Sequence, residues 1–327
     1  MTISGRDRVM SDETPPSSLP TPEQILSALD HTGFVLEYRA AQRLRQFGFE
    51  TFLNHAFTDP ETGKSREVDI LATVYNNIKV EGKYKVLINA TLVIECKNYS
   101  DPLVVIGQDE QLRYHNDKPL ITFDPLLISF AARDPEVYGS LPMALDMLGL
   151  PSHSTRGFIG SQLIKMHRQG GKWRAANDSV YDSITYPLAK AVENERKRAS
   201  DLSDDDRPWH VPGLVYLFAV LITAGNIFAV NVVPDGTPTV TAVKWVPLVR
   251  NFSEDEFSFM MDVVTFDSIE EYLKERVFPT LKEANQSVSS HLELFNPEWL
   301  RKQYGKSSDP IFIAWLEDIR PSGGSAK

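Results

Sequence analysis

The sequence predicts an α/β protein in which helices flank a mixed β-sheet. Two short, β-branched apolar runs, Val68-Asp69-Ile70-Leu71-Ala72 and Leu92-Val93-Ile94-Glu95-Cys96-Lys97, have the length and composition of buried strands. Helical patterns bracket them, one from Gly33 to Phe47 closed by Gly48, the other from Pro187 to Ala199.

Residues 1–21 are rich in Ser, Thr and Pro and poor in large apolar groups, which predicts a flexible tail. A helix is expected from Pro22-Glu23. The next, Gly33–Phe47, carries an apolar stripe through Phe34, Tyr38, Ala41 and Leu44, with Glu37 on the same side. Glu50–Thr58 reads as a strand and Asp59–Lys64 as its turn. Gly63-Lys64-Ser65 is not a phosphate-binding loop, because Thr58 occupies the required upstream glycine position and the segment joins strands. Gly82 marks the turn between the two apolar strands.

Asp101–Pro151 mixes apolar runs with many prolines and reads as an insertion. Within it, Gln108 and Gln111-Leu112-Arg113-Tyr114 read as a surface helix, or alternatively as substrate contacts. In the later helix Leu188, Ala191 and Val192 should face inward, while Arg196, Lys197 and Arg198 complement the helix dipole. A strand hairpin is expected at Leu214–Val220 and Ile227–Val233, further strands at Val240–Val249 and Phe257–Val264, and an amphipathic helix over Ser268–Ala284.

Chemistry concentrates in the two apolar runs. Side chains alternate across a strand, so Glu95 and Lys97 share one face with Val93, while Leu92, Ile94 and Cys96 share the other. A carboxylate and an ammonium at the end of an apolar strand are costly to bury without a metal, a partner or water. Asp69 adds a second carboxylate from the neighbouring strand. Oxygen donors of this kind suit a hard divalent cation, Mg²⁺ or Mn²⁺, held by Asp69, Glu95 and the Cys96 backbone carbonyl. Lys97 would orient or help deprotonate an attacking water and stabilise charge on the phosphorus centre. A bland alternative is a set of solvated charges on a sheet edge.

The pattern Asp69…Glu95-Cys96-Lys97 resembles the PD-(D/E)xK nuclease superfamily, and the ECKNY segment is similar to Mrr-type DNA endonucleases. Val68 stands where that motif has proline, and the resemblance spans roughly Gly33 to Lys97. It implies a restriction-endonuclease-like core of order α-β-β-β-α-β, a mixed sheet flanked by helices, here with an insertion and a C-terminal extension. The chain would then comprise a tail (1–21), a nuclease-like domain (22–250, with the insertion at 100–155), an α/β extension packed on the core (251–320) and a short tail (321–327). The first helix of such proteins often brings an acid toward the metal, and Glu37 matches; an acid at the stripe's edge is the ordinary alternative.

The implied activity is divalent-metal-dependent hydrolysis of phosphodiester bonds, with DNA as the expected substrate and a homodimer allowed. Junction or RNA cleavage uses the same core, and a scaffold that binds nucleic acid or protein without turnover is the alternative from another class. The net charge of −10 argues against unspecific nucleic-acid binding but leaves room for a local basic groove. Arg156, Lys165, Arg168, Lys172 and Arg174 supply candidates, with no acid from 156 to 176 and with His167 and Trp173 among them. A solvated face around a buried Trp173 is the competing reading. The lone Cys96 rules out an intramolecular disulfide framework. The polar, proline-rich start and the Gly225-Asn226 break in Leu214–Val233 lead to the expectation of a cytoplasmic protein without a membrane span.

Overall fold

The computed structural model describes residues 19–59, 62–79, 85–111, 126–128, 156–176, 180–204, 213–233, 236–251 and 258–295. The protein is mixed α/β, with helices on both faces of one mixed sheet. Helix α1 (Pro22–Thr32) starts at a reciprocal cap: the Gln24 N–H donates to the Thr21 hydroxyl, and the Thr21 N–H donates to the Gln24 side chain. Gly33, at φ 90, separates it from α2 (Phe34–Gln46). Gly48, at φ 87, ends α2 as expected, its N–H donating to the Arg45 carbonyl while the Phe49 N–H reaches the Leu44 carbonyl.

The buried stripe of α2 is Leu36, Glu37, Ala40, Ala41 and Leu44, while Phe34 and Tyr38 are exposed. The expected stripe was therefore rotated. The small Ala40 and Ala41 let the helix lie close on the sheet, and that contact, rather than the largest side chains, selects the inner face. Glu37 consequently lies in the buried stripe.

The twelve-stranded sheet follows the order β1-β2-β3-β8-β12-β11-β6-β4-β9-β10, with β5 beside β8 and β7 beside β6. Strands β1 (Glu50–Thr58), β2 (Ser65–Lys79) and β3 (Lys85–Lys97) form an antiparallel meander. Both apolar runs are cores of longer strands than expected; the residues around Gly82 lie outside the described ones. β4 (Leu103–Gln111) follows, so Gln108 and Gln111 belong to a strand and not to a helix. Then come β5 (Leu126–Ile128), β6 (Arg156–Gln169) and β7 (Lys172–Ala176).

Helix α3 (Tyr186–Asp204), entered through a π-helical turn at Tyr181–Thr185, precedes β8 (Gly213–Thr223), which runs parallel to β3. A parallel neighbour requires a crossover, and α3 lies on it, burying Leu188, Ala191 and Val192 as expected. The local order α2-β1-β2-β3, then α3-β8, places these four strands side by side. After β9 (Ile227–Asn231), β10 (Thr239–Val243) and β11 (Trp245–Asn251), strand β12 (Ser258–Thr265) enters the sheet between β8 and β11. A helical run closes the described chain: α4 (Ile269–Tyr272), a π-helical stretch Leu273–Val277 and α5 (Phe278–Ser290), over the region expected to be one amphipathic helix. α2, α4 and α5 cover one sheet face and α3 the other. Among the described residues no helix is long and apolar enough to cross a membrane.

The expected hairpin at 214–233 does not form. β8 pairs with β3 and β12, and β9 pairs with β4 and β10. Only Ala224-Gly225-Asn226 separates β8 from β9, yet the sheet path between them runs through β12, β11, β6 and β4, so the sheet curls back on itself. The link runs against the segment leaving β3: the Ala224 N–H donates to the Lys97 carbonyl at 3.3 Å and the Leu103 N–H to the Asn226 carbonyl at 2.9 Å. A Cβ on Gly225 would stand 2.7 Å from the Tyr99 carbonyl oxygen and 2.9 Å from that of Asp101. Only glycine fits between those oxygens. Gly225→Ala should therefore cost about 1–3 kcal/mol, the usual range for overpacking, read as a lower midpoint in urea unfolding; an unchanged midpoint would show that the two segments separate freely.

Candidate active site at the ends of the central strands

The site forms where β2 parts from β3. The paired register of the two strands ends at Ile70 opposite Ile94. Beyond it the Cys96 N–H donates to a side chain, Asp69 Oδ2, at 2.7 Å. On the other side of β2, Leu53 faces Ile70 and His55 faces Val68, so Asn54 stands opposite Asp69. Asn54 has φ 49, the only positive φ outside glycine among the described residues. Asn tolerates this left-handed conformation better than most residues, and it breaks the regular ladder at the residue whose carboxylate turns toward β3.

Glu95 and Lys97 share a strand face as the alternation predicted, and Lys97 Nζ lies 2.5 Å from Glu95 Oε1. Cys96 points the other way, into the core beneath α2. Glu37 on α2 is 8% exposed, like Glu95. Asn98 donates from its side-chain amide to the Asp30 carbonyl, tying the strand end to α1. Asp69, Glu95, Lys97 and Glu37 thus come together from three elements.

Each of these groups shifts the titration of at least one other. Burial, followed by the Asp69 charge, pushes Glu37 up to about 7, against the opposing pull of Lys97. Burial and then Asp69 also raise Glu95 to about 7, offset in part by Lys97. Asp69 is itself raised by burial, opposed by the Cys96 N–H and Lys97. Burial pulls Lys97 down, but the Glu95 charge and hydrogen bond, joined by Asp69, outweigh it, so Lys97 stays a firm cation. Burial and the three acids drive the Cys96 thiol well above its usual range, leaving a neutral sulfur.

The donors are of the hard, oxygen type that Mg²⁺ or Mn²⁺ takes. Among the described residues, however, no group of three or more His, Cys, Asp or Glu side chains closes tightly enough to enclose a metal. Asp69 is engaged with the Cys96 N–H and Glu95 with Lys97. By donor type alone, the two carboxylates would suit a cation that leaves the rest of its shell to water and substrate.

The basic residues fall into two places. Arg156 begins β6 opposite Gln111, nine residues before Lys165 and about 30 Å away along an extended strand. Lys165, Arg168, Lys172 and Arg174 instead lie together on the β6–β7 hairpin. Lys165 Nζ sits 3.8 Å from the centre of the Tyr99 ring, two residues past Lys97. Trp173 is 47% exposed, so the buried-tryptophan reading does not hold. Sequence reasoning gave no role to Asn54, Asn98 or Tyr99; Asn54 carried a signal as an asparagine inside a strand pattern, and Asn98 and Tyr99 as the end of the ECKNY segment. Comparison with family models, curated proteins and solved structures finds no match to this chain.

An acid whose pKa rises on folding holds its proton more tightly when folded. Stability without metal should therefore fall as pH rises from the ordinary 4.5 toward about 7, and level off above. Glu95→Gln and Glu37→Gln should each flatten that slope and melt higher than wild type at pH 8 in EDTA. Thermal denaturation across pH 4.5–8 checks this; identical slopes in wild type and both variants would mean that folding raises neither acid.

Proposed function

We propose that the protein is a divalent-metal-dependent nuclease that hydrolyses phosphodiester bonds in DNA. The observation that carries this reading is the meeting of Asp69, Glu95 and Lys97 at the end of the central strands, with Glu37 buried close enough to raise Glu95 and to be raised by Asp69. The order α2-β1-β2-β3, followed after the intervening strands β4–β7 by α3-β8 with β8 parallel to β3, is supporting: without those four strands it is the order expected of a restriction-endonuclease-like core.

Asp69, Glu95 and the Cys96 carbonyl would hold Mg²⁺ or Mn²⁺, which when bound supplies Lewis acidity at a phosphoryl oxygen. Lys97, kept cationic by its acidic neighbours, attracts the phosphate and stabilises charge that builds on it. Its role is therefore electrostatic rather than that of a base. Glu37, at about 7, is poised to accept a proton from water near neutral pH. A second reading, a nuclease-like scaffold without turnover, draws on the absence of a three-acid metal group among the described residues.

One assay separates the two. Purified protein should nick plasmid DNA with Mg²⁺ or Mn²⁺ and stop on chelation, whereas the scaffold would bind without nicking. Asp69→Ala, Glu95→Ala and Lys97→Ala should each lower the rate by roughly 10²–10³ while keeping a cooperative melt. A wild-type rate in any of the three removes that residue from the mechanism, and turnover in EDTA removes the metal.

A further inference from the structure

From its root at Lys165 the β6–β7 hairpin leaves the sheet. The pairing of β6 with β4 ends at Leu103 opposite Lys165, and among the described residues His167–Gln169 pair only with β7. The result is a two-stranded ribbon about 15 Å long. An isolated two-stranded ribbon is marginal in water, and Arg168 and the whole stretch from Gly170 to Arg174 are exposed. Gly170 and Gly171 turn it with φ 58 and 78, the tight two-residue turn with both central residues left-handed. Its tip therefore carries no side chain.

Both ribbon faces are basic. Lys165, His167, Lys172 and Arg174 share one face; Arg168 and Trp173, direct cross-strand partners, share the other. The Arg168 guanidinium lies 4.9 Å from the centre of the Trp173 ring. Among the described residues no Asp or Glu pairs with these cations, although the chain as a whole carries −10. A concentration of unpaired cations on a projecting strand pair matches a polyanion. The shape narrows the choice, because the major groove of B-form DNA, about 12 Å wide and 8.5 Å deep, admits a two-stranded ribbon. The major groove of duplex RNA is too narrow for that.

The root of the ribbon is fixed to the candidate site. The Met166 N–H donates to the Pro102 carbonyl at 2.9 Å, and Lys165 covers Tyr99. We propose that the ribbon Lys165–Arg174 enters the major groove of B-form duplex DNA and, anchored at Tyr99 and Pro102, holds the duplex over Lys97. This rests on the nuclease reading for what happens to the DNA but not for the binding itself.

The test uses full-length protein in EDTA and fluorescence anisotropy. The probes are one DNA duplex, the same duplex with glucosylated 5-hydroxymethylcytosine filling the major groove, and the RNA duplex of equal sequence. Wild type should bind plain DNA at least roughly tenfold more tightly than either alternative. The triple variant Arg168→Gln, Lys172→Gln, Arg174→Gln should lose roughly that preference, and its salt slope should flatten by ~0.9 per lost phosphate contact. Its melting temperature should match wild type, since these side chains are exposed. Equal binding of plain and glucosylated duplexes, an unaltered triple variant, or no binding of duplex DNA by wild type overturns the proposal. Plasmid nicking run alongside keeps the two readings apart. Nicking by a protein whose ribbon variant binds normally sinks the ribbon alone. Ribbon-dependent binding without nicking sinks the nuclease reading alone.

Discussion

The hydrogen bond from the Cys96 N–H to Asp69 is the constraint on which the rest of the site depends. Where β2 stops pairing with β3, the Cys96 N–H would lose its partner, and an unsatisfied buried donor costs about 1–3 kcal/mol. The Asp69 carboxylate fills that role at 2.7 Å. In doing so it stands beside Glu95 and within electrostatic reach of Glu37, so the backbone is satisfied at the cost of gathering like charges. Lys97 is the local compensation, and its ion pair with Glu95 is the arrangement expected when acids are crowded in a partly dry place. The left-handed Asn54 across the ladder interrupts the pairing at Asp69 alone, leaving Leu53–Ile70 and His55–Val68 paired on either side.

The sheet gives this constraint a rigid frame. β3 has antiparallel β2 on one side and parallel β8 on the other, and its apolar side chains are buried on both faces until Glu95. Two chain segments, Lys97–Leu103 and Thr223–Ile227, leave this region side by side and become the parallel pair β4 and β9. Gly225 makes their close passage feasible. That double crossing puts Tyr99 and Pro102 at the root of the β6–β7 ribbon, and so couples the charged strand end to a basic ribbon.

Charge is distributed, not averaged. A net −10 describes the chain but neither of its two charged features. One is a cluster of acids whose affinity for protons is raised by burial, the other a ribbon of cations without acidic partners among the described residues. The two lie side by side, joined where Lys165 covers Tyr99 two residues past Lys97.

Local pattern made the elements around the motif legible. Glu50–Thr58 matches β1, Gly48 closes α2, and the alternation of Val93, Glu95 and Lys97 against Leu92, Ile94 and Cys96 holds in β3. These depend on neighbours within a few residues, where backbone sterics and strand periodicity act directly. Pairing partners did not follow from pattern. β8 and β9 have the sequence of a hairpin, and nothing in the sequence of β12 names its neighbours, yet the hydrogen-bonding edges of β3, β4 and β11 claim them. The stripe of α2 likewise turned to suit the sheet, which is why Glu37 is buried and why its proton is held near 7. The sequence by itself determined which residues carry charge at the ends of apolar strands. Only the tertiary structure decided which of those charges meet and which stand alone, because strand edges and buried donors are satisfied by long-range partners that no local spacing encodes.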